Sequence, residues 1–184
     1  MNVGTKSLLW GVHAFWFHPI AVLLAWIELY GLPNWKELVC IIIHDWGYFG
    51  SPNMDGNEGE MHPWFGAYIT DFLFDKSNGL MENGSYSLLC LYHSRHLSRA
   101  MRATPSKLCW ADKLSIKYDP WWFYIPRAIL SGELQEYRAL HGSMGENFKT
   151  HRDWYNWVAS RAIRMGKQQS SDGISFHPQS PVEP

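Results

Sequence analysis

The residues of this chain best suited to chemistry are histidines and aspartates set in apolar surroundings. Ile41-Ile42-Ile43 leads directly into His44-Asp45, so an imidazole and a carboxylate are expected at the end of a buried helix. Burying such groups unpaired is costly, and a metal ion satisfies both at once. Further His and Asp residues recur at intervals: His18 upstream, His62 and His93 downstream, and Asp112 within Trp110-Ala111-Asp112-Lys113. Helical bundles commonly build metal sites in this way, one inward-facing ligand per helix. Imidazole and carboxylate together suit Fe, Mn, Zn, Ni or Co, in one or two ions, without selecting among them. His13 competes with His18 for the first position, and His96 with His93 for the later one. His141, His151 and His177 fall outside the pattern and read as surface residues.

Other polar groups stand close to these in sequence. The loop Asp55-Gly-Asn-Glu58-Gly-Glu60 reads either as a solvated acidic turn or as a source of a catalytic carboxylate. In the second case Glu58 or Glu60 would act as general base, orient a metal-activated water, or hold a ligand histidine in place. Arg95 and Arg99 lie four apart, on one face of a helix, where they would clamp a phosphate or simply meet solvent. Lys113 would contact a phosphate or pair with its neighbour Asp112. Tryptophans 110, 121, 122, 154 and 157 read chiefly as packing residues, with stacking on a base as the alternative.

The elements that must position these groups are helices. Strand-like alternation is scarce, and the apolar spacing predicts an all-α single bundle over residues 1–165 with a mobile tail over 166–184. Val12 to Tyr30 has helical composition, with Pro19 opening or kinking it. Asn34 with Glu37 three residues on forms a capping-box pattern, and that helix should run to about Asp45. Residues 46–61 read as a glycine-containing loop. Further helices are predicted from His62 to Phe74, Ser85 to Met101, Thr104 to Tyr118 (Thr104 capping and Pro105 first), Trp121 to Leu140 and Phe148 to Met165.

A chain of 184 residues with 46% apolar and 16% aromatic side chains can bury an adequate core in one domain. Its net charge of −1 gives no overall attraction to duplex nucleic acid. Cys40, Cys90 and Cys109 form no CxxC pair and read as buried thiols, which fits a reducing cytoplasm. The apolar stretch Leu8 to Leu32 carries His13, His18 and Glu28 and lacks a cleavage site, so neither an export signal nor a membrane span is expected. Aromatic-rich helices such as Trp121 to Leu140 would offer a homodimer surface.

Over residues 18 to 118 the chain resembles the HD-domain superfamily. His18-Pro-Ile-Ala-Val resembles that family's first-helix histidine, Ile-Ile-Ile-His-Asp its central motif, and Ala111-Asp112 its closing aspartate. The resemblance implies that His18, His44, Asp45 and Asp112 hold a primary metal. His62 and His93 resemble the two extra histidines of the dinuclear subgroup, with Asp45 bridging two ions. It further implies a hydrolase of a phosphate ester or anhydride, with a nucleotide or related small phosphorylated metabolite as substrate. Arg95, Arg99 and Lys113 would then neutralise developing charge. The dinuclear pattern also resembles di-iron oxygenases of the same fold, and a non-catalytic ligand-binding member is the third reading.

Overall fold

The computed structural model describes residues 1–75 and 85–171. Among these there are helices and helical turns and no strands. The ten α-helices are α1 (Val3–Trp10), α2 (His18–Tyr30), α3 (Trp35–Ile43), α4 (Pro63–Thr70), α5 (Tyr86–Leu91), α6 (Arg95–Ala100), α7 (Lys107–Ser115), α8 (Trp121–Ser131), α9 (Glu133–Ser143) and α10 (His151–Ser171). The all-helical bundle anticipated from the sequence is therefore present. None of these helices is long and apolar enough to cross a membrane.

Local chemistry explains most boundaries. The Asn34 side chain accepts from the Lys36 and Glu37 amides at 2.9 and 3.0 Å, and Glu37 accepts from the Asn34 amide at 2.7 Å. This reciprocal cap starts α3 and satisfies amides that have no partner within the helix. Pro19 lies in the first turn of α2, where its missing N–H costs nothing, so the helix opens at His18 instead of at Val12.

Other boundaries depart from the sequence expectation. Ser85–Met101 is two helices, because the Ser94 hydroxyl caps a new one by accepting from the His96 and Leu97 amides. Gly132, at φ 93°, divides Trp121–Leu140 into α8 and α9. Ser106, not Thr104, occupies the cap position of α7. Helix α1 was not anticipated. Helix α10 continues to Ser171, beyond the expected end at Met165, and the rest of the predicted tail, 172–184, lies outside the described residues.

Two large hydrophobic cores and a small third one of Leu8, Tyr48 and Met54 hold the bundle. The larger joins α2, α3, α4, α5 and α7 through side chains that include Val22, Trp26, Ile41, Leu91, Leu108 and Leu114. Each fully buried large apolar side chain contributes roughly 1.5–3 kcal/mol relative to exposure. The second core packs Val12 with Tyr124, Ile125, Leu134 and Trp154 from α8, α9 and α10. Cys40, Cys90 and Cys109 are free thiols buried in this interior. Helix α7, which carries Asp112, packs against both α2 and α10.

Candidate metal centre

Six of the residues singled out by type and spacing meet in space, and the carboxylate of Asp45 is their centre. Asp45 Oδ2 lies 3.1 Å from His18 Nε2 and 3.1 Å from His44 Nε2. Its other oxygen, Oδ1, lies 3.3 Å from His93 Nε2 and 3.5 Å from His62 Nε2. Asp112 Oδ1 closes the first group at 3.2 Å from His18 Nε2. All six residues are buried or nearly so.

Most of these residues sit at the ends of helices or in turns, and Asp112 alone lies within the body of a helix. His18 is the first residue of α2, His44 caps the C-terminus of α3, His62 precedes α4, and His93 falls between α5 and α6. The position has a reason. Carbonyls in the last turn of a helix keep accepting capacity, and a ring N–H three residues on can reach back to one. His44 Nδ1 contacts the Ile41 carbonyl at 2.8 Å, His62 Nδ1 that of Gly59 at 2.6 Å, and His93 Nδ1 that of Cys90 at 2.5 Å.

The same three-residue step back occurs three times and fixes the chemistry of each ring. A carbonyl only accepts, so Nδ1 must carry the hydrogen, and in the neutral ring Nε2 then presents a lone pair. Burial lowers the pKa of His44 and holds that of His62 well below the usual imidazole value, favouring the neutral rings. Burial alone would disfavour ionised Asp45 and Asp112. The histidines around Asp45, His44 foremost with His13 and His18, and Lys113 with His18 beside Asp112, outweigh it and hold both carboxyls well below their usual range.

The result is a buried concentration of lone pairs and negative charge. His18 Nε2, His44 Nε2 and Asp45 Oδ2 have no hydrogen-bond partner, despite lying within ion-pair distance of one another. Such atoms are costly to bury unless a cation sits among them. Two groups, His18 with His44 and Asp112, and His44 with Asp45 and His93, bring their ligand atoms close enough to share an ion. The donor set of imidazoles and carboxylates fits a divalent transition metal. Burial works against a charged His18, but the carboxylates of Asp112 and Asp45 prevail and raise its pKa to about 10. The site thus favours positive charge even at this one imidazole.

The surroundings of the cluster sort the remaining residues. Tyr48 stacks on His62 with ring centroids 3.8 Å apart and covers that imidazole. Gly47 lets the backbone pass His62, since a Cβ there would stand 2.0 Å from the His62 carbonyl oxygen. A cavity of about 420 Å³ opens beside His18 and Asp112 and is lined by Arg95, Arg99 and Lys113. Lys113 Nζ also pairs with Asp112 Oδ2 at 2.8 Å. Glu58 is exposed and accepts from Asn53 Nδ2 at 2.8 Å, away from the cluster. Glu60 lies 3.9 Å from His96 Nδ1, a half-exposed ring that takes no place beside Asp45.

His13 does not join the cluster either. Its Nδ1 lies 2.9 Å from Glu133 Oε1, a carboxylate that no local pattern marks out. Tyr48 was likewise missed. Its position three residues after Asp45 places it one helical turn on, the only local hint it offered. Comparisons of the chain with protein-family models, with curated proteins and with solved structures find no match. The fold and the cluster alone define an all-helical protein with a buried His/Asp site able to hold metal.

Proposed function

We propose that this chain is a metal-dependent hydrolase of HD type that cleaves a phosphate ester or anhydride in a nucleotide or related small phosphorylated metabolite. The observation that carries the reading is the division of one carboxylate between two groups of histidines. Asp45 gives Oδ2 to His18 and His44 and Oδ1 to His62 and His93. That arrangement suits a carboxylate bridging two ions, with His18, His44, Asp45 and Asp112 holding one and Asp45, His62 and His93 the other.

When bound, divalent cations would polarise a phosphoryl oxygen and acidify water at neutral pH. The chain's own residues account for the rest. Arg95, Arg99 and Lys113 line the cavity beside the cluster and would hold and neutralise a phosphoryl group. Burial of the cluster excludes bulk water, which strengthens each of these contacts. Trp157 and Arg161 line the same cavity, with the guanidinium 5.2 Å from the ring centroid, and offer a surface on which a nucleobase would stack. Glu60 faces His96 and Glu58 pairs with Asn53, which leaves Asp45 as the better-placed catalytic carboxylate.

The test is release of phosphate from a panel of nucleotides, cyclic nucleotides and dinucleoside polyphosphates by chain loaded with redox-inert Mn. Turnover of any member supports hydrolysis. Oxygen uptake by an iron-loaded chain, with no phosphate released under any metal, would favour the di-iron oxygenase instead. The set of four histidines and two carboxylates, which suits iron as well as redox-inert cations, favours that second reading.

A further inference from the structure

Glu133 is fully buried at the first position of α9, remote in sequence from every other group of the site. Its Oε1 accepts from Ser7 Oγ at 2.6 Å, from His13 Nδ1 at 2.9 Å and from the Tyr137 hydroxyl at 3.2 Å. Its Oε2 accepts from the Val12 amide at 2.9 Å and from the Ser131 hydroxyl. Burial would raise its pKa, yet the hydrogen bonds from His13, Ser131 and Ser7 lower it, so the carboxylate is ionised and can only accept.

This network fixes which nitrogen of the neutral His13 ring carries the hydrogen. The Ser7 hydroxyl spends its hydrogen on Glu133, so Ser7 Oγ, 2.9 Å from His13 Nδ1, is also an acceptor towards the ring. Both neighbours of Nδ1 therefore require an N–H there, and the neutral ring leaves Nε2 with a lone pair. Among the described residues Nε2 has no hydrogen-bond partner. His13 lines the cavity that also holds His18, Asp112, Arg95, Arg99 and Lys113. Its ring is 5.2 Å from that of His18 and 5.0 Å from that of Tyr48.

We infer that His13, oriented by Glu133, is a specificity residue whose Nε2 accepts a hydrogen bond from a hydroxyl of the bound ligand. The ligand class is then a phosphorylated compound carrying a hydroxyl on the carbon skeleton close to the phosphate. The inference rests on the phosphohydrolase reading, because that reading places the phosphate beside His18 and Asp112. Glu133 is a positioning residue. It holds the ring in one tautomer and touches no ligand.

The test compares calorimetric binding of inorganic phosphate, glycerol 3-phosphate and propyl phosphate to the full zinc-loaded chain. The two esters share carbon count and phosphate and differ in their hydroxyls. Glycerol 3-phosphate is expected to bind roughly tenfold more tightly than propyl phosphate, the effect of one well-made hydrogen bond. His13→Phe should equalise the two while leaving affinity for inorganic phosphate unchanged. Long-range proton–nitrogen NMR of histidine-labelled chain at mildly alkaline pH should show His13 protonated at Nδ1 and bare at Nε2. In Glu133→Gln, if it folds, that single tautomer should become a mixture. A wild type without hydroxyl preference, a preference that survives His13→Phe, or a bare Nδ1 would overturn the inference and leave the phosphohydrolase reading standing. Failure of inorganic phosphate itself to bind would remove that reading, and this inference with it.

Discussion

The Nε2 atoms of His62 and His93 face one another 3.0 Å apart, and both rings give Nδ1 to a backbone carbonyl. With each Nδ1 turned to a carbonyl, the neutral forms of these rings would present lone pairs to each other, which is unfavourable unless a cation lies between them and Asp45. His93→Asn should therefore lower metal content from about two ions per chain to about one if the pair forms a second site. Elemental analysis after dialysis reads the ratio. Unchanged content would separate this pair from metal binding.

Asp45→Asn should be more severe, because that carboxylate touches both groups of histidines. Loss of a ligand generally exceeds the 10–100-fold loss of affinity seen on removing an outer partner, so metal affinity should fall at least roughly 100-fold. Competition with a chromophoric chelator measures this directly. Retention of wild-type affinity would contradict the shared-carboxylate geometry.

The protonation of the metal-free site gives a pH signature. His18 has its pKa raised above the ordinary imidazole value, so its contribution to stability is fully present below about pH 6.5 and is lost as pH rises through about 10. Asp45 and Asp112 are depressed, so their contribution is present above about pH 4 and is lost as pH falls. Thermal melts of chelator-treated chain should show decline at both extremes. At neutral pH a bound cation must displace the His18 proton, so binding should release about one proton, seen calorimetrically in buffers of different ionisation enthalpy. Binding with no proton release would contradict the assignment.

Gly47 is where the backbone passes closest to a ligand residue, a Cβ there standing 2.0 Å from the His62 carbonyl oxygen. Gly47→Ala should cost about 3 kcal/mol, the upper end for overpacking, and shift His62 away from Asp45. For a chain of this size that lowers Tm by roughly 6–12 °C. Gly142→Ala, where an added Cβ meets nothing within 4 Å, serves as the control. Equal melting of the two variants would show that the contact relaxes without cost.

Arg99 lines the cavity beside Asp112 and Lys113. If the cavity receives a phosphoryl group, Arg99→Ala removes a charge-assisted hydrogen bond and should raise KM roughly tenfold or more without altering metal content. Steady-state kinetics with the best substrate of the panel decides this. An unchanged KM would place the arginine at the solvent-facing rim.

What the sequence made legible was local. The Asn34–Glu37 cap could be read from spacing because all its partners lie within three residues, and the all-helical class followed from the lack of strand alternation. His18, His44 and Asp45 stood out as polar groups with apolar flanks, which imply burial, whereas His62 and His93, with polar neighbours such as Glu60, Ser94 and Arg95, stood out only through their likeness to the dinuclear HD pattern. Contacts across long separations were not legible. Glu133 reaches His13 across 120 residues, and no local pattern marks it as buried. The break at Ser94 and the one at Gly132 were also hidden, since a serine or glycine inside a helical run is locally tolerable and tertiary packing decides whether the helix stops.

Anomalous diffraction from crystals grown with excess manganese or zinc, recorded at the metal edge, tests the centre most directly. A peak should lie on the Oδ2 side of Asp45 among His18, His44 and Asp112, with ligand distances of about 2.0–2.2 Å. A second should lie on the Oδ1 side against His62 and His93. Full metal occupancy at surface sites with nothing within coordination distance of Asp45 would contradict the metal centre, and the hydrolase built upon it.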